Sequence, residues 1–111
     1  MKKIFILFLV VFSVQIFYSH SAKSLELSYN IEKKELNVKA LHKVSNEKKH
    51  YIDLLIVMVN GTKIFEQKYT VQTNKYEQLA VLKVDAKAGD KITVDSNCNL
   101  GGKRKAELTV K

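Results

Sequence analysis

Cys98 is the only cysteine in a chain of 111 residues, and it lies in the stretch Cys98-Asn99-Leu100-Gly101-Gly102. About half a domain upstream stand His42 and then His50, the latter within Lys48-Lys49-His50-Tyr51-Ile52. Thiolate and imidazole are the side-chain groups that bind iron, copper or zinc, so the few such residues present fall in two short segments that could converge on one metal ion. No nucleophile triad, phosphate-binding loop or helical metal motif accompanies them, and Asp53 and Asp90 read as strand and turn residues.

The elements that must position these groups begin after the N-terminus. Met1-Lys2-Lys3 followed by the apolar run Ile4 to Val14 has the form of a secretory signal. Ser19-His20-Ser21 offers small residues where a signal peptidase reads, and Ala22 offers a second cut, so residues 1–22 are expected to be a signal peptide and 23–111 the domain. The apolar stretch, interrupted by Ser13 and Gln15, is short against the roughly 20 residues that span a bilayer. The expected location is therefore periplasmic or secreted, with no membrane anchor after cleavage. Loss of Lys2 and Lys3 lowers the formal net charge of +8 by two, which leaves the domain basic. The remaining chain of about 90 residues suffices for one domain with a modest core. An exported domain with a single cysteine cannot close a disulfide within itself, so it must stand on its core or on a metal.

Period-two alternation recurs along the chain. Leu25, Leu27, Tyr29 and Ile31 alternate with polar neighbours, Glu32-Lys33-Lys34 turns the chain, and Leu36, Val38 and Ala40 form a second strand that ends just before His42. Ile52 to Val59 is an apolar run expected to be a central strand buried on both faces. Asn60-Gly61 is a hairpin signal. The returning strand is expected over Thr62 to Val71, others over Leu79 to Val84 and Lys91 to Asn97, and the last over Ala106 to Val110. About seven short strands imply an all-β, immunoglobulin-like β-sandwich. His42, His50 and Cys98 all then lie at strand ends or in loops, where a rigid sandwich carries its chemistry.

His42, His50-Tyr51-Ile52 opening a strand that ends at Asn60-Gly61, Ala88-Gly89-Asp90 and Cys98-Asn99-Leu100 together resemble the iron-binding domain of desulfoferrodoxins and superoxide reductases. The resemblance runs from about Leu25 to Lys111. It implies a sandwich that holds a mononuclear non-haem iron by four histidines in a plane and an axial cysteine thiolate, with an open position that receives superoxide. On that basis His42 and His50 match two planar ligands and Cys98 the axial one. The family places a histidine three residues after its cysteine, where this chain has Gly101, and another in a Glu-Lys-His stretch near the start of the domain, where none lies between Lys23 and Leu41. A proline that usually follows the first matched histidine is replaced by Lys43, and the rubredoxin-like cysteine domain of larger relatives is absent.

Three of five ligands survive, which predicts weaker binding of ferrous iron. A thiolate opposite an open iron position would push electron density toward that position. A His2Cys set is also the core of a trigonal copper site, for which Met58 would be the axial candidate, although an apolar strand makes Met58 a core residue. Glu47, five residues after His42, is a candidate replacement for a missing ligand. Lys43, Lys48 and Lys49 beside the histidines and Lys103-Arg104-Lys105 after the cysteine would rim the site and attract superoxide or another small anion, if the loops converge. The scattered aromatics argue against nucleic acid as a partner. An electron-donor protein is the partner that a reductase would require. The alternative is a metal-free sandwich, a binding or accessory module that kept the fold and lost the iron, with Gly101-Gly102 serving only as a turn at positive φ. Cys98 could instead pair with a second molecule, a dimer that a nonreducing gel would show.

Overall fold

The computed structural model describes residues 21–111, and the expected signal peptide lies outside the described residues except for its last two positions. Seven strands follow: β1 (Ser24–Asn30), β2 (Glu35–Leu41), β3 (Ile52–Val59), β4 (Thr62–Lys68), β5 (Glu77–Lys83), β6 (Lys91–Cys98) and β7 (Lys103–Thr109). They form an antiparallel sheet of three in the order β1-β2-β5 and one of four in the order β4-β3-β6-β7. This is the two-layer sandwich that the alternation predicts. Among the described residues no helix is long and apolar enough to cross a membrane.

Alternation decides which face of each strand is buried. Leu36, Val38 and Ala40 of β2 pack toward Ile52, Leu55 and Val57 of β3 and Ile92 and Val94 of β6 in one core cluster. Cys98 belongs to the same cluster, which ties the candidate site to the hydrophobic core. Ala22, placed in the leader by the sequence reading, is also in that core at 1% exposure, and its carbonyl accepts a hydrogen bond from Arg104 Nε at 2.9 Å.

The burial of one strand and the bounds of two others differ from expectation. β3 is central, but Leu54, Ile56 and Met58 on its outer side are only partly buried, because the sandwich has two layers and among the described residues no third layer covers that face. β4 ends at Lys68 instead of Val71, since residues 69–76 leave the sheet and cross to the other layer. β7 starts at Lys103, because the basic run Lys103-Arg104-Lys105 pairs with Asn97, Ser96 and Asp95 of β6.

The hairpin between β3 and β4 has Asn60 at φ +51° and Gly61 at φ +83°, the two left-handed positions that a type I′ turn requires. Asn60 also receives the Lys91 amide on Oδ1 at 3.0 Å and donates Nδ2 to Asp90 at 3.0 Å, so it joins this turn to the start of β6. Gly61→Ala should cost about 1–2 kcal/mol, the penalty of a Cβ in left-handed backbone, since no atom stands within 4 Å of the added carbon. Urea unfolding would measure it, and an unchanged midpoint would show that the turn tolerates the side chain.

Candidate metal centre

His42 follows the last residue of β2, and its amide donates to the Tyr76 carbonyl at 2.9 Å, which anchors it to the chain entering β5. His50 stands two residues before β3. An Asn46 turn sets it there, with Asn46 Oδ1 accepting from the Lys48 amide at 2.9 Å and the Asn46 carbonyl accepting from the His50 amide at 2.9 Å. Cys98 is the last residue of β6, one position inside a strand expected to end at Asn97.

Asn99 holds the histidine and cysteine segments together. Its Oδ1 accepts from the Tyr51 amide at 2.9 Å, its Nδ2 donates to the Lys49 carbonyl at 3.0 Å, and its own amide donates to the Tyr51 carbonyl at 3.0 Å. After it the chain reverses. Gly101 and Gly102 have φ of +106° and +105°, the positive values expected of the glycine pair, and the Gly102 carbonyl accepts the Cys98 amide at 3.0 Å. The Leu100 amide points at Cys98 Sγ, 3.4 Å away.

The three residues singled out by type do converge. One ligand atom from each of His42, His50 and Cys98 lies within 4.8 Å of the others. Bonds of about 2.1 Å to imidazole nitrogen and 2.3 Å to sulfur place the donor atoms of a tetrahedral or trigonal ion about 3.6–3.8 Å apart, so three atoms within 4.8 Å would share one transition-metal ion after drawing together by up to about 1 Å. The two imidazole rings are 4.7 Å apart between centroids and meet edge to face at 89°. His42 and Cys98 are buried and His50 is partly exposed, which leaves the His50 side as the approach to the site.

Burial raises the Cys98 thiol above its ordinary range, with a smaller opposing effect from the Leu100 amide and a further upward push from Asp53. The metal-free folded state therefore holds this proton longer than the unfolded chain does. As pH rises through the unfolded thiol's range, near about 8.5, the unfolded state ionises first and stability falls. The urea midpoint of the metal-free protein should accordingly drop faster on the alkaline side than that of Cys98→Ser. Parallel curves would show that the buried thiol does not drive the change.

Other expectations are corrected. Met58, expected to fill the core, is only partly buried and lines a shallow cavity with Asn60, Gly61, Thr93 and Lys105; at the far end of β3, roughly 20 Å of strand from Ile52, it is no axial ligand either, as its place in an apolar strand implies. Glu47 is not in the cluster. The two basic runs do not rim one pocket: Lys103 and Lys105 line different cavities on the outside of the four-stranded sheet, and Arg104 is bonded to Ala22.

Gln72 escaped the sequence reading. It is 2% exposed, and its Oε1 lies 2.7 Å from His42 Nδ1. A glutamine in the polar stretch Gln72-Thr73-Asn74 carries no chemical flag, and its partner lies 30 residues away.

No protein-family model matches the chain, and no curated protein matches it. Solved structures do. The chain is similar to the superoxide reductase (1Fe-SOR) from Giardia intestinalis at 16% identity and TM-score 0.60, over 82% of this chain and 97% of that one. It has a superoxide-reductase-like fold. A superoxide reductase crystallised in the oxidised state gives the same result at 18% identity and TM-score 0.53, over 85% and 92% of the two chains. A variant of the superoxide reductase (neelaredoxin) from Ignicoccus hospitalis is 14% identical at TM-score 0.51, over 89% of this chain and 88% of that one. In this superoxide-reductase-like fold, the His42, His50 and Cys98 cluster is the candidate metal site.

Proposed function

We propose that this protein is an exported metalloprotein that binds one iron ion through His42, His50 and Cys98 and reduces superoxide. The observation that carries the proposal is the convergence of these three side chains within 4.8 Å in a superoxide-reductase-like fold. A bound iron would supply a one-electron couple and open coordination positions. His42 and His50 would hold it as neutral imidazoles, and Cys98 would give up its thiol proton on binding and donate charge through sulfur. The Leu100 amide aimed at that sulfur would stabilise its negative charge. The overall reaction takes one electron from a reduced donor protein and two protons, and converts superoxide to hydrogen peroxide. Lys48 and Lys49, exposed beside the partly exposed His50, would favour approach of the anion.

Export is part of this reading. It rests on the basic start and apolar run of residues 1–14, and with Ala22 packed in the core the cut is placed before that residue rather than after it. The test is to purify the domain anaerobically without a histidine tag, load it with ferrous iron, and follow superoxide consumption with a reduced donor. One equivalent of iron and superoxide loss without oxygen release are expected. Retention of zinc or copper but not iron would overturn the reductase reading. Failure with all three metals would make the protein a metal-free sandwich, a reading that the chain's Gly101 in place of a ligand also favours.

A further inference from the structure

Every polar atom of the Gln72 side chain is engaged at once. Nε2 donates to the His42 carbonyl at 2.8 Å and to the Asn74 carbonyl at 2.9 Å. Oε1 accepts the Ile52 amide at 3.2 Å and faces His42 Nδ1 at 2.7 Å. This network leaves no choice of amide orientation. Turned over, the side chain would set an oxygen against two carbonyl oxygens and an NH2 against the Ile52 N–H. Oε1 can only accept, so in the neutral ring Nδ1 of His42 must carry the proton and Nε2 the lone pair.

We infer that Gln72 is a positioning residue that locks neutral His42 in the Nδ1–H tautomer, and so commits Nε2 as the atom offered to a metal. The role rests on the proposed metal site for its purpose, but the lock itself is a property of the metal-free fold. Four features make it effective. Gln72 is 2% exposed, so water does not compete for Oε1. Its backbone is fixed by the hydrogen bond that its N–H donates to the Glu47 carbonyl at 3.1 Å, within the loop between the two histidines. Its contacts reach His42 by both ring and carbonyl, which fixes ring and backbone together. The Ile52 amide lies two residues beyond His50, so the same side chain ties both histidine segments to one point. A hydrogen bond to the distal ring nitrogen is the usual means of fixing a ligand histidine, and losing it typically lowers metal affinity 10- to 100-fold.

The test is long-range proton–nitrogen NMR on the metal-free protein with labelled histidine, at a pH above the ordinary imidazole range. His42 should show a protonated Nδ1 and an unprotonated Nε2. An Nε2–H tautomer, or an average of the two, would overturn the inference without any variant. Gln72→Leu should then release His42 to a tautomer mixture and weaken Zn2+ binding, read by competition with a chromophoric chelator, by about 10- to 100-fold. Gln72→Glu keeps an acceptor at the same place and should restore the tautomer. An unchanged tautomer in folded Gln72→Leu would also overturn the inference. Absence of superoxide turnover would leave the tautomer result standing, so the two readings fail separately.

Discussion

Cys98→Ser is expected to remove bound metal while leaving the protein folded. Serine nearly matches cysteine in shape, so the end of β6 and the turn at Gly101 and Gly102 should persist. A hydroxyl at 1% exposure is a poor ligand and does not deprotonate at neutral pH, which leaves two neutral imidazoles as the whole donor set. Outer partners of metal ligands are worth 10- to 100-fold in affinity, so loss of the thiolate itself should exceed about 100-fold. Elemental analysis after anaerobic loading and desalting would read near one equivalent in the parent and near none in the variant. His50→Ala should behave alike, and its partly exposed position makes misfolding a poor explanation for a loss there. Full metal retention by Cys98→Ser would remove the thiolate from the site, and the proposed function with it.

The second large effect belongs to the core. Leu55→Ala should destabilise the protein by about 2–5 kcal/mol, because a fully buried leucine in a close-packed interior leaves a cavity that its neighbours fill only in part. Leu55 lies in the middle of β3, opposite Ser96 of β6 and Gln67 of β4, so both neighbouring strands lose contacts. Domains of this size hold about 5–15 kcal/mol in all, and each kcal/mol moves the melting temperature by about 4–8 °C. No disulfide is available within the chain to offset the loss. Leu54→Ala, one residue away on the half-covered outer face, should cost well under half as much. Calorimetry on the metal-free proteins would compare them, and equal costs would mean that β3 does not alternate as described.

The strands were legible wherever one face is apolar and the other polar, as in Leu36-Asn37-Val38-Lys39-Ala40. Lys103-Arg104-Lys105 concealed the start of β7, because a strand at the sheet's edge can carry charge on both faces and alternation then has nothing to mark. Val71 extended the expected β4 by its type alone, although the chain has already left the sheet there. The cluster itself was legible by chemistry, since few residues can bind a metal and the histidines and cysteine among the described residues lie together. Its support was not. Gln72 is recruited by the crossing between sheets, and Asn99 acts through backbone groups of Lys49 and Tyr51, which side-chain types do not reveal.

The turn after Cys98 also bears on how the site could be rebuilt. Gly101 has open space where a Cβ would stand, yet its φ of +106° is one that residues with side chains rarely adopt. A histidine introduced there would start from backbone strain of about 1–3 kcal/mol before its ring reached any ion. To add a fourth donor at this position the loop must change its path along with its residue, so the number of donors the candidate site can offer is written into the main chain as well as the side chains.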